Sequence, residues 1–294
     1  MEYIFLLFAF LCGLTVKMAG IPPMVGYLAA GFILNALGFT ASDQLQQIAS
    51  LGITIMLFTI GLKLNVKDLS RREVWAGSVS HTLIWVGVVT GVLYGVAAFM
   101  GSVTGAIDFQ SAALIAFALS FSSTVCVVKI LEEAGEGKTR HGRLAIGVLV
   151  MQDVFAVVFM VAATGKLPSV WALALLLVFP ALPLLNKMLN KSGHGELLPL
   201  TGFILALGAY QLFELVSIKG DLGALLIGML LAKHSKATEL SKSLLAFKDL
   251  FLIGFFLSIG LTALPDVPML TMALIVCLLL PFKAFLFFAL MTGL

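Results

Sequence analysis

Apolar runs of roughly twenty residues succeed one another along the whole chain, and about twenty residues is what one α-helix needs to cross the hydrocarbon core of a bilayer. Eleven such spans can be placed, at about 2–18, 22–38, 45–62, 74–100, 109–130, 142–164, 168–187, 197–216, 220–233, 244–264 and 268–291. The breaks between them carry turn chemistry, as in Gly20-Ile21-Pro22-Pro23, Gly135-Glu136-Gly137, Ser192-Gly193-His194-Gly195 and Pro265-Asp266-Val267-Pro268. The chain therefore reads as an all-α polytopic membrane protein. Only 11% of its residues are charged, against about 25% in a soluble domain, which excludes a soluble fold. No basic tract with interleaved aromatics points to nucleic acid. Cys12, Cys126 and Cys277 all lie inside apolar runs, without disulfide or zinc spacing. The opening MEYIFLLFAF carries Glu2 and no basic residues, so it reads as a retained first span and not as a signal peptide.

The basic residues test this count, because Lys and Arg gather in cytoplasmic loops. Loops after odd-numbered spans hold 15 of the 18, a set that includes Lys248 in the loop after span 9. Loops after even-numbered spans hold only Lys166 and Lys219, and Lys283 lies inside span 11. The partition puts the odd loops in the cytoplasm and the N-terminus outside.

Two pairs of spans resemble each other. Gly26–Gly31 in span 2 parallels Gly223–Gly228 in span 9, and LGITIMLFTIGLKL (51–64) in span 3 parallels LFLIGFFLSIGLTA (250–263) in span 10. The offsets are 197 and 199 residues. Partners lie seven spans apart, an odd number, so they cross in opposite directions, which is the inverted repeat of many secondary transporters. The expected division is repeat 1 over about 1–164, a linking span over 165–190, and a partial repeat 2 over about 196–294. The repeat calls for two more spans starting near residue 309, so the expectation is a transport domain that continues past Leu294.

Of the fifteen acids, fourteen lie in loops or within about a turn of a span edge, and Asp153 alone is central. It is about eleven residues into span 6, hence roughly 16 Å deep at 1.5 Å per residue. A charge at that depth costs at least ~2.5–3.5 kcal/mol on insertion scales. A carboxylate that trades a proton for a metal cation is the minimal element of cation:proton exchange; a structural polar contact between helices is the alternative. Gln152 precedes it and offers a neutral oxygen, although a turn of about 100° per residue leaves the two free to face different neighbours. In span 5, Ser120, Ser122, Ser123 and Thr124 place four hydroxyls within five residues. Such side chains satisfy backbone groups freed by a helix break, or they serve close packing. Lys283, beside Pro281, is the natural counter-charge for Asp153, or else a lysine that snorkels to the interface. His81, His141, His194 and His234 read as ordinary loop or interface histidines.

Span 6, with Gly147-Val148-Leu149-Val150-Met151-Gln152-Asp153, resembles the ion-site helix of Kef-type potassium:proton antiporters, of the monovalent cation:proton antiporter-2 family. SSTVCV (122–127) looks like that family's segment in its first discontinuous crossing helix. GYLAAGFIL (26–34), LFTIGLKL (57–64), LGALLIGMLLA (222–232) and FFLSIGL (255–261) follow in matching order. The resemblance implies the inverted-repeat cation:proton antiporter fold with discontinuous crossing helices, thirteen spans of which eleven are present here, and a homodimer. It makes Asp153 the carboxylate that carries a cation or a proton. Gln152, Ser122, Ser123 and Thr124 then stand beside that ion, and Lys283 matches the lysine before the second crossing helix. Lys129 departs from the pattern, where an uncharged residue is expected. No cofactor is expected within this segment, although family members often add a downstream nucleotide-binding regulatory domain.

The function expected is therefore secondary transport, not enzymatic catalysis. A monovalent cation, potassium ahead of sodium, is exchanged for protons by alternating access, in the bacterial inner membrane. A gated potassium efflux channel and a sodium-coupled symporter for an organic solute are the rival readings.

Overall fold

A computed structural model describes residues 2–64, 71–99, 108–164, 169–265 and 267–293. Lys67, Asp68, Lys166 and Asp266, which the sequence puts in loops, lie outside them. The described residues form α1 (Glu2–Met18), α2 (Pro23–Ala36), α3 (Asp43–Lys63), α4 (Arg72–Phe99), α5 (Phe109–Ser120), α6 (Thr124–Glu133) and α7 (Arg140–Thr164). A 3-10 helix (Val170–Leu177) leads into α8 (Val178–Lys191), and α9 (Leu197–Leu215), α10 (Gly220–Leu231), α11 (Ala237–Ser243), α12 (Leu245–Thr262) and α13 (Val267–Gly293) follow.

Each apolar run of the sequence is helical, with two departures. The fifth run splits into α5 and α6, and the seventh begins as a 3-10 helix. The seven-residue α11 was not anticipated, because it falls in a polar stretch. Among the described residues, α3, the Arg72–Gly95 part of α4, α9 and α12 are each long and apolar enough to cross a membrane. Large apolar side chains such as Leu83, Leu278 and Phe288 are exposed, as lipid-facing helices require.

The chain divides into two compact units. Unit 1 comprises Met1–Val66 and Met160–Pro265, and unit 2 comprises Lys67–Phe159 and Asp266–Leu294.

In unit 1, α3 packs against α10 and α12, while α2 packs against α1 and α12. Every residue of α3 from Thr54 to Leu62 is buried, which is why this helix is apolar on all sides. Ile55, Phe58 and Leu62 meet Leu205, Ala206 and Ala209 of α9 and Ala224, Ile227 and Leu231 of α10 in one core. A second core joins Phe5 and Ala9 to Ala30, Leu34, Leu257 and Leu261. Lipid gives helices no hydrophobic incentive to associate, so close backbone approach at small residues matters more than in water. Two crossings show it. A methyl group on Gly31 would overlap the Leu257 carbonyl oxygen and lie 2.8 Å from the Gly260 Cα. One on Gly61 would overlap the Leu225 carbonyl oxygen and lie 2.9 Å from the Gly228 Cα.

Two acids of unit 1 are paired near helix ends. Asp221, in the first turn of α10, accepts from Thr54 Oγ1 at 3.4 Å and sits 3.7 Å from Lys219 Nζ. Glu214 accepts from the Gly220 amide at 2.8 Å. Lys248 corrects the sequence reading: it lies inside α12, not in a loop, and is 1% exposed. It is buried more completely than Lys283 at 8%, so Lys283 is not the single buried base. Lys248 Nζ lies 3.9 Å from an oxygen of Asp249.

The glycine crossings yield a paired expectation. Gly61→Ala should destabilise the protein by about 1–3 kcal/mol through overpacking. Gly208→Ala on α9, where an added Cβ meets nothing within 4 Å, should be neutral or stabilise by up to about 1 kcal/mol. Thermal denaturation in detergent checks this, and equal midpoints for the two variants would contradict the crossing geometry.

Candidate functional site

In unit 2, α4 packs against α5 and α13, around Trp85, Val89, Ala116 and Leu286. Asp108 starts α5 by accepting from the Ser111 amide at 3.1 Å, and the hydrogen bonds from Ser111 hold its carboxyl below the usual range. The helix then stops at Ser120. Phe121 is extended at φ −70°, ψ 152°, and α6 begins at Thr124. The serines explain where the break falls, since short hydroxyl side chains compete with helical backbone bonds. Ser120 Oγ donates to the Phe117 carbonyl at 2.7 Å. Ser123 caps the new helix by accepting from the Cys126 amide at 3.3 Å.

A break inside a bilayer leaves carbonyls at the end of the first half-helix and amides at the start of the second. Lys283 and Gln152 answer them, and Asp153 meets the hydroxyl of the first residue of α6. Lys283 Nζ donates to the Leu119 carbonyl at 3.2 Å and to the Phe121 carbonyl at 3.0 Å. Gln152 Nε2 donates to the Ser120 carbonyl at 3.2 Å, and Gln152 Oε1 accepts from the Ser122 amide at 3.1 Å. Asp153 accepts from Thr124 Oγ1 at 3.4 Å. The charges match the half-helix ends: the ammonium sits at the negative C-terminal end of α5, and the carboxylate meets the first residue of α6, at that helix's positive end.

The structure thus brings Ser122, Thr124, Gln152, Asp153 and Lys283 to one place in unit 2. Gln152 is buried, while Asp153, Ser122 and Thr124 are half-buried. Ser123 is exposed, with its hydroxyl engaged at the cap. Lys129 is half-buried on α6. Among the described residues, no three His, Cys, Asp or Glu side chains gather as a metal cluster. The chemistry available at the break is carboxylate, hydroxyl and carbonyl oxygen, which suits a hard cation.

Two residues beside this place were missed. His81 is fully buried, stacked on Phe287 with ring centroids 3.6 Å apart, so it is not a loop or interface histidine. Trp85 is buried one turn further along α4, and Lys283 Nζ lies 5.4 Å from its ring centroid, a cation–π distance. Among the described residues, both ring nitrogens of His81 and Nε1 of Trp85 have no hydrogen-bond partner. The available signal was spacing: His81 and Trp85 are four apart on α4, as Lys283 and Phe287 are on α13, so each pair shares a helix face.

The family model described as sodium/hydrogen exchanger, transmembrane, matches residues 6–294. K(+) efflux antiporter 1, chloroplastic, of Arabidopsis thaliana is 26% identical over 276 residues, covering 85% of this chain and 23% of that protein. The putative cation/proton antiporter YbaL of Escherichia coli is 26% identical over 284 residues, covering 87% of this chain and 50% of that protein. The glutathione-regulated potassium-efflux system protein KefC of Klebsiella pneumoniae is 29% identical over 266 residues, covering 83% of this chain and 41% of that protein. The chain spans half or less of the length of these three relatives.

Removing the lysine tests the geometry of the break. Lys283→Leu leaves two carbonyls without their donor, and a buried acceptor left so costs about 1–3 kcal/mol. Its thermal midpoint in detergent should fall well below wild type, with Lys283→Arg between the two. A Leu variant as stable as wild type would show that the two carbonyls do not depend on the ammonium.

Proposed function

This chain belongs to the transmembrane sodium/hydrogen exchanger family, as an integral membrane protein and not an enzyme, and we propose that it exchanges a monovalent cation for protons by alternating access. One observation carries the reading: the carboxylate that the sequence places deepest in a span, Asp153, meets Thr124 at a break in the neighbouring helix. A carboxylate there binds either a proton or a cation, and never both at full strength, since each neutralises the charge that holds the other. That mutual exclusion is what couples the two flows. The family match and the antiport named in two of the three relatives support it. Potassium stands ahead of sodium because two of the three relatives are named for potassium efflux.

In the proposed cycle, Asp153 takes the cation on one face of the membrane, with oxygen atoms of Ser122, Ser123 and Thr124 at hand. Lys283 balances the negative end of α5 and serves as counter-charge while the site is empty of cation. Unit 2, which holds all of these residues, is the body that carries the ion between faces. The proton released or taken up on the other face resets the carboxylate. The distribution of basic residues supports an N-terminus outside, and the bacterial relatives support a bacterial inner membrane. The working form is a homodimer, as the resemblance implies.

The inverted repeat belongs to the same reading, with repeat 1 over about 1–164 and partial repeat 2 over about 196–294. Its offsets pair Gly31 with Gly228 and Gly61 with Gly260. Under that exchange, the Gly31–Gly260 crossing becomes the Gly228–Gly61 crossing. The carbonyls follow: Leu257 at Gly31 corresponds to Phe58 at Gly228, and Leu225 at Gly61 corresponds to Leu28 at Gly260. Such agreement at the level of single atoms supports a pseudo-two-fold axis through unit 1.

Asp153→Asn preserves shape and removes the exchangeable charge. In proteoliposomes carrying the full-length protein, wild type should dissipate an imposed pH gradient when potassium is added, and the Asn variant should fall to the rate of empty vesicles. Continued gradient dissipation by Asn would overturn the mechanism. Potassium flux without proton counterflow in wild type would favour a channel.

A further inference from the structure

Gln152 lies 1% exposed, and its carboxamide joins the last residue of α5, Ser120, to Ser122 in the gap before α6. In an unbroken helix the Ser122 amide would donate to the carbonyl of residue 118, and the Ser120 carbonyl would accept from the amide of residue 124. Here Phe121 N takes the Ala118 carbonyl at 3.4 Å. Gln152 supplies the partners that both groups lose: Oε1 for the Ser122 amide and Nε2 for the Ser120 carbonyl, at 3.1 and 3.2 Å. A carboxamide carries the same donor and acceptor pair as a peptide group. Its orientation follows from its partners, since an N–H faces one end and a C=O the other.

Resting on the exchange reading above, we infer that Gln152 is a positioning residue and not a cation ligand. Its carboxamide replaces the helical hydrogen bonds that the Ser120 carbonyl and the Ser122 amide lose, and so fixes the chain at the start of the gap. The next residue on α7, Asp153, reaches Thr124 on the far side of the same gap. Two consecutive side chains, about 100° apart around α7, therefore grip both sides of the break. The distance from the Asp153 carboxylate to the oxygens of the break is set by this clamp, and with it the size of ion that fits. Turning Oε1 away toward a cation would take from the Ser122 amide the acceptor it has here, so binding through that oxygen competes with the bridge.

The test uses full-length protein with Gln152→Glu and Gln152→Leu, read in two ways. The first is hydrogen exchange over residues 116–126 in lipid nanodiscs, which needs no transport activity. Gln152→Leu should raise exchange at the Ser122 amide about tenfold or more, and Gln152→Glu, which keeps the acceptor, should leave it near wild type. The second is cation:proton exchange in proteoliposomes. Outer-shell partners of bound ions typically change affinity by about ten- to a hundredfold when altered. Gln152→Glu should accordingly raise the potassium KM about tenfold, leave kcat within about twofold, and narrow the discrimination between potassium and sodium. Unchanged protection at Ser122 in Gln152→Leu overturns the inference. So does a lowered KM in Gln152→Glu, which is what an added carboxylate does at a true ligand position. Should Gln152→Leu fail to fold, the KM and selectivity of Gln152→Glu decide alone. Absence of any exchange activity in wild type would sink the antiport reading, and the Ser122 protection would still judge the clamp.

Discussion

Within a bilayer every backbone N–H and C=O needs a partner from the protein itself, because lipid offers none. The helix break at Phe121–Ser123 violates that requirement, and the surroundings of the break are arranged to restore it. Ser123 caps the second half-helix, Gln152 takes one amide and one carbonyl, and Lys283 takes two further carbonyls. Each of these side chains would be costly in an apolar helix on its own. Together with the break they satisfy one another, so the cost of burial and the cost of the break offset each other.

The two units meet the same constraint by opposite means. In unit 1 Asp221 and Glu214 are paired near helix ends, and glycine crossings bring backbones into direct contact. That is packing suited to a stable frame, with little that titrates at its centre. In unit 2 the packing is by large rings, with His81, Trp85, Phe282 and Phe287 stacked along α4 and α13. The charged and amide groups lie alongside. A cation-binding place needs dipoles and oxygens aimed inward, and a broken helix supplies both without importing additional charge.

Much of this was legible in the chain. Apolar runs located the helices to within a few residues, because a membrane span has a required length and composition. Asp153, Gln152 and the Ser120–Thr124 hydroxyls stood out because polar residues at that depth are expensive and therefore rare. Distance along the chain is not distance from water. Lys248 sits only a few residues into its apolar run and was read as a loop lysine, yet it is nearly fully buried, since depth in a protein is decided by neighbouring elements. The same holds for His81, which is fully buried and stacks on Phe287, more than two hundred residues away.

By itself, then, the sequence determined the helices and the one central carboxylate, and it marked the Ser120–Thr124 hydroxyls as a place for either a break or close packing. Those depend on local hydrophobicity, turn chemistry and the competition of serine hydroxyls with the helical ladder, all readable within a dozen residues. Only the tertiary structure decided which polar group answers which. Lys283 reaches the Phe121 and Leu119 carbonyls from 162 and 164 residues away, and Gln152 crosses 30 and 32 residues to the break. The partner of a hydrogen bond is set by direction and distance in space, and a one-dimensional pattern carries neither.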